Sequence, residues 1–273
     1  MSNQPETSGS TISACYLLTN SNDAANLGMY VLENGQPLFN IGILFAANIN
    51  GTYDEPELYL NQTVTETLNS GIVSQLQEQG IKITLSILGN HQEAGISTLT
   101  GNGPQLFAQQ LADVVTEYGL DGIDFDDEYC TGTTNASSFP LLVNALRGLL
   151  PNAILSLYFI GGASYSLTYE NINVGTLLNY AWNPYYSEFS PVAVPPMTNS
   201  QIGAAAIDMG PTDNTYTQPA MAASFAQRTL ADGYGVYVYY NLINQDISEY
   251  LSSVSSVLYG QNTIYKGAAG DSQ

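Results

Sequence analysis

Leu120-Asp121-Gly122-Ile123-Asp124-Phe125-Asp126-Asp127-Glu128 is a short apolar run with acids at 124, 126 and 128. Side chains alternate faces along a strand, so a strand here points these three carboxylates the same way. Their Cα atoms are then roughly 6–7 Å apart. Three like charges on one inward face are costly unless at least one stays protonated, and proteins keep such arrangements mainly where chemistry needs them. A carboxylic acid of raised pKa beside a carboxylate suits acid-assisted cleavage of a glycosidic bond. A calcium loop and a solvated acidic turn are the plainer readings. An EF-hand loop places glycine after its third acid. Here Gly122 precedes the acids, and Ile123 and Phe125 alternate with them. The catalytic reading is therefore favoured.

Outward from this stretch, short apolar runs alternate with helix-period segments, the pattern of repeated βα units. Candidate strands cover 11–19, 38–48, 82–89, 122–128, 153–161, 180–186, 203–209 and 235–242. Eight such strands predict the α/β class and a single (β/α)8 TIM barrel, which needs about 250 residues. The barrel is expected over 11–265, with a disordered N-terminal tail at 1–10, a C-terminal tail at 266–273, and one or two helices short or missing. A helix starts near Pro104 and aligns Phe107, Leu111, Val114 and Tyr118. Others carry Phe139, Leu142, Val143 and Leu146, or follow Pro219. The last is expected to begin at Asp246, with Glu249 three residues on as in a capping box. Residues 163–178 read mostly as loop.

Only Lys82, Arg147, Arg228 and Lys266 are cationic, and the net charge is −20. Such a chain repels phosphate backbones and anionic lipid, so no nucleic acid or membrane partner is expected. A neutral, hydroxyl-rich ligand such as a glycan fits, and some of the 20 tyrosines can stack on sugar faces. Cys15, in the first strand, and Cys130, after the fourth, are expected as free thiols. Residues 1–10 have no signal-peptide core, so the expected location is cytoplasmic, or secreted with a leader removed.

The chain is identified from four ordered motifs as resembling glycoside hydrolase family 18, and within it the endoglycosidase H type. Asp121–Glu128 resembles the family's D-G-x-D-x-D-x-E signature, and Asp124–Tyr129 is similar to that type's form of it. Ile87–Gln92 resembles the end of its third strand and Tyr180–Tyr186 its sixth. Asp232–Tyr237 with Tyr240–Leu242 resembles its eighth. The resemblance runs from about Ser13 to Tyr259. It implies an endo-β-N-acetylglucosaminidase acting as a monomer on N-linked glycans, high-mannose or hybrid, with no metal or organic cofactor.

The resemblance also implies roles. Glu128 would protonate the leaving oxygen and later activate water. Asp126 would orient the substrate's own acetamide, which serves as nucleophile, and Asp124 would share a proton with Asp126. Tyr185 aligns with the tyrosine that bonds the acetamide, with Tyr186 the alternative because Pro184 obscures the register. Asn183 would face the same pocket. His91 would line the cleft, with loop packing equally open. Phe45 and Asn48 would line it near the end of strand two, and Tyr240 and Asn241 at the end of strand eight. A chitinase of the same family is the first rival reading, against which stands the tryptophan that chitinases of the family usually carry where Tyr240 and Asn241 lie; a non-catalytic glycan-binding barrel is the second. Strand parity makes Asp121 structural, turns Asp127 outward as an ordinary polar residue, and sends Trp182 into the core against a helix.

Overall fold

The computed structural model describes residues 11–267; the expected tail 1–10 and most of 266–273 lie outside the described residues. Eight parallel strands close a ring: β1 (Ile12–Leu18), β2 (Ile41–Gly51), β3 (Lys82–Gly89), β4 (Gly122–Asp126), β5 (Ile154–Tyr158), β6 (Tyr180–Trp182), β7 (Ile202–Asp208) and β8 (Val236–Tyr240). Each pairs with its neighbours in sequence, and β8 pairs with β1 to complete the barrel.

Among the described residues, six α-helices surround the ring: α1 (Gln62–Asn69) and α2 (Ile72–Glu78) after β2, α3 (Gly103–Tyr118), α4 (Ser138–Leu149), α5 (Pro219–Ala231) and α6 (Ser248–Leu258). In α3, Pro104 opens the first turn, where its missing N–H costs nothing, and Phe107, Leu111 and Val114 are buried at helical spacing. The start of α6 differs from expectation. Asp246 accepts the Ser248 N–H at 2.9 Å, so the helix begins two residues later and no capping box forms.

Among the described residues, the connections after β1, β5 and β6 hold 3₁₀ turns and short strands but no α-helix. Three helices are missing where one or two were expected to be short or absent. After β5 the chain turns at Gly161-Gly162, and the hairpin strands Thr168–Tyr169 and Ile172–Asn173 lie in the segment 163–178 read as mostly loop. After β6, Pro184, Pro191, Pro195 and Pro196 break any helical run.

Two apolar layers result. Leu17, Leu85, Phe125, Phe107 and Phe139 belong to the larger one, between barrel and helices. Tyr16, Ile43, Tyr158, Trp182 and Val238 fill the barrel interior. Trp182 thus lies inside the barrel and not against a helix.

The charges are placed unevenly. Lys82 opens β3 and pairs with Asp121 at 2.9 Å. Arg147 and Arg228 sit in the last turns of α4 and α5, and Lys266 follows the strand Thr263–Tyr265, its N–H bound to Met29. The eight loops leaving the C-terminal ends of the barrel strands contain no Lys or Arg, and each carries at least one carboxyl, from Asp23 after β1 to Asp246 after β8.

Candidate active site

Strand register explains the carboxyl ladder. Asp124 is flanked by Ser86 on β3 and Ser156 on β5, its direct register partners. Ser86 Oγ donates to Asp124 Oδ2 at 2.9 Å and Ser156 Oγ to Oδ1 at 2.6 Å. From β1, Tyr16 Oη donates to Oδ2 at 2.8 Å, and Trp182 Nε1 donates to Tyr16 Oη at 2.8 Å. Burial pushes the Asp124 carboxyl up to about 6, while Ser156, Tyr16 and Ser86 pull it down. Three donors converging on one carboxylate favour its anionic form.

Asp126, one step up the same face, has Leu88 and Tyr158 as register partners. Neither donates to it, and its Oδ1 is buried without a hydrogen-bond partner. Burial first, then Glu128, Asp124 and Asp127, raise its carboxyl well above the usual range. Of this coupled pair, Asp126 is the carboxyl pushed harder toward its neutral form, for want of any donor. Glu128 is half-buried at the barrel mouth, and burial raises it too. Asp121 is structural, accepting from Lys82, Gln77 and the Ile83 N–H.

The sixth-strand residues fall differently from expectation. The chain leaves the ladder after Trp182, and Asn183 braces the exit. Its Nδ2 donates toward the carbonyls of Tyr185, Glu188 and Ala204, and its Oδ1 accepts the Tyr185 N–H at 2.9 Å. Asn183 is fully buried and spent on main chain, so it does not face the pocket. Tyr185 turns outward and is 55% exposed. Tyr186 returns over the mouth, its ring stacked on Tyr240 at 4.4 Å and tilted against Tyr158 at 6.2 Å. Part of its ring is open, but its hydroxyl end is buried, and burial, Tyr158, Tyr240 and Asp126 all raise it. Tyr186, not Tyr185, is the tyrosine beside the ladder.

An unbroken β2 would place Phe45 and Asn48 on opposite faces. A register shift between Leu44 and Ala47 brings both to the inner side. Phe45 packs edge-on to Tyr16 at 6.0 Å. Asn48 Nδ2 donates toward the carbonyls of Leu88 and Gly89, tying β2 to β3. Asn241 likewise donates to Asp213 at 2.7 Å and accepts from Asn22. His91 is exposed on the rim, its ring 5.5 Å from that of Tyr129, and its N–H bonds the Tyr129 carbonyl at 2.6 Å. Asp127 is not outward but buried, its Oδ2 accepting the Ala163 N–H at 2.8 Å. Ser86, Ser156, Tyr16 and Tyr158 were not singled out from sequence; small hydroxyls at inward positions of β3 and β5 were the available signal. The thiols of Cys15 and Cys130 are free.

A closed barrel with a graded carboxyl ladder at the mouth of β4 defines a barrel glycosidase. Comparison gives the family: residues 14–181 match the model for glycosyl hydrolases family 18, and this chain belongs to that family and is a glycoside hydrolase. A curated endo-beta-N-acetylglucosaminidase of Flavobacterium sp. (strain SK1022) is 43% identical over 270 residues, covering 96% of this chain and 84% of that protein. Endo-beta-N-acetylglucosaminidase F1 of Elizabethkingia meningoseptica is 26% identical, over 91% of this chain and 78% of its own. The crystal structure of Bacteroides thetaiotamicron EndoBT-3987 in complex with Man9GlcNAc2Asn substrate aligns with a TM-score of 0.83 at 24% identity, covering 94% of this chain and 68% of that one.

Proposed function

We propose that this hydrolase is an endo-β-N-acetylglucosaminidase. It cuts the β-1,4 bond within the N,N′-diacetylchitobiose core of N-linked glycans, high-mannose or hybrid, with retention of configuration. The observation that carries the mechanism is the grading of the ladder: Asp124 bound by three hydroxyls that offset part of the push of burial, Asp126 with no donor and driven further toward its neutral form, and Glu128 raised at the mouth. The named activity of the 43% identical relative supports the substrate class.

Glu128 donates its proton to the leaving oxygen. A neutral, buried Asp126 is a poor nucleophile, so the reaction uses the acetamide oxygen of the substrate's own N-acetylglucosamine, and the family is among the substrate-assisted exceptions to the two-carboxylate scheme. Asp126 accepts the acetamide N–H as charge develops on the oxazolinium ring, passing its proton toward Asp124. Tyr186 supplies a second polar contact at that site, and Tyr240 stacks behind it. Glu128, now ionised, activates water for the second step. One chain supplies every group in this scheme, so catalysis needs no residue from a second copy.

Digestion tests this directly. Wild-type protein should leave one GlcNAc on asparagine of a high-mannose glycoprotein and release the remaining glycan, as read by mass spectrometry. Glu128→Gln should fold normally and lose at least about a hundredfold in rate, the lower bound for a general acid. Efficient cleavage of chitin tetramer with an untouched glycoprotein would identify a chitinase instead. Binding without cleavage would identify a glycan-binding barrel.

A further inference from the structure

The β4 ladder ends at Asp126, yet Glu128 must be held in place to deliver a proton. On the β3 side, main-chain bonds carry on past the strand: Gly89 N–H to Glu128 O at 3.0 Å and His91 N–H to Tyr129 O at 2.6 Å. On the β5 side the chain turns away at Gly161, which adopts a φ of +63°. There the Asp127 side chain stands in for the missing ladder.

Asp127 is 6% exposed, and its Oδ2 takes the Ala163 N–H at 2.8 Å. The Ser97 hydroxyl, then the Ser97 and Gly162 N–H groups, also face it and, with the Ala163 N–H, oppose the upward push of burial. The Ser97 hydroxyl lies beside the carboxylate but makes no well-formed hydrogen bond. The fit is close: a methyl group at Gly161 would fall 1.9 Å from the Asp127 carbonyl oxygen and 2.9 Å from Oδ2. At Gly162 it would fall 2.5 Å from both Ser97 Oγ and Thr134 Oγ1. Loops leaving β3, β4 and β5 therefore meet at one buried carboxylate, the residue immediately before Glu128.

We infer that Asp127 is a positioning residue for acid catalysis: it pins the segment carrying Glu128 to the loop after β5. The inference rests on the reading of Glu128 as the acid. A pin of this kind matters in proportion to how much the leaving group needs its proton, and that separates it from a general structural role. The test compares two substrates with the same high-mannose oligosaccharide, one on a glycopeptide and one on a nitrophenyl group that departs without protonation.

Asp127→Ala should lower kcat/KM, which reports the steps up to departure of the leaving group and not the later attack of water, on the glycopeptide by about a hundredfold, as a misplacement of order 1 Å does, and on the nitrophenyl glycoside by less than about threefold. Asp127→Asn, which keeps one acceptor oxygen, should show the same selective loss in smaller measure. It also carries the test if the alanine variant does not fold, as judged by circular dichroism and thermal melting. Equal losses on both substrates, or none on either, would overturn the inference. If the wild-type enzyme failed on the glycopeptide, the endoglycosidase reading would fall and the inference with it; that result appears in the wild-type arm alone.

Discussion

Asp124 and Asp126 share a strand face, and their lateral neighbours set them apart. Serines on both sides and a tyrosine from across the barrel stabilise charge on Asp124, whereas Leu88 and Tyr158 offer Asp126 nothing comparable. Glu128 is raised by burial alone, so its carboxyl keeps its proton to higher pH than an exposed glutamate would. The sign follows. The protonated form is the active one in the first step, so activity is lost as pH rises through the raised value. We expect kcat/KM on a glycopeptide to be highest at mildly acidic pH and to fall about tenfold per unit on the alkaline side. A profile from pH 4 to 9 measures this, a range chosen to bracket ordinary carboxyl and histidine values of roughly 4 to 6.5. No decline toward pH 9 would exclude Glu128 as the acid.

At the scale of elements, the sequence was most legible where charge breaks an apolar pattern. Asp124, Asp126 and Glu128 declare their common face because Ile123 and Phe125 lie between them. In β6 no such contrast exists. A parallel strand covered on both sides is apolar on both faces, so alternation cannot say which face is inside. The inward Trp182 was therefore read as outward and the bracing Asn183 as a ligand contact. Pro184 then hid the step by which Tyr186 returns to the mouth. The helices after β3, β4, β7 and β8 were legible from Phe107, Leu142, Pro219 and Leu251, while the bulge in β2 leaves no mark in the sequence. Asn183→Ala tests the brace. It strips the exit of β6 of hydrogen bonds and leaves buried main-chain groups unpaired, at about 1–3 kcal/mol for each unsatisfied group. Denaturant unfolding should show a loss of that order. KM should rise more than kcat falls, because Tyr186 is displaced while Glu128 is not. A variant with wild-type stability and KM would remove Asn183 from this role.

Over the whole molecule, a net charge of −20 is distributed so that the loops around the barrel mouth carry carboxyls and no Lys or Arg. Exposed charges act over about 30 Å at 0.01 M salt but only about 10 Å at 0.1 M. A glycoprotein with a basic surface around its glycan is thus drawn toward the open end of the barrel before any sugar is touched, and an acidic one is held off. Raising salt from about 0.01 to 0.1 M should therefore slow cleavage of the same high-mannose glycan on a basic carrier and speed it on an acidic carrier, by several-fold in each direction. Parallel salt responses on the two carriers would show that the mouth exerts no such pull. The acidic rim then acts as a filter on the carrier protein: two glycoproteins bearing identical sugars would be deglycosylated in an order set by their isoelectric points.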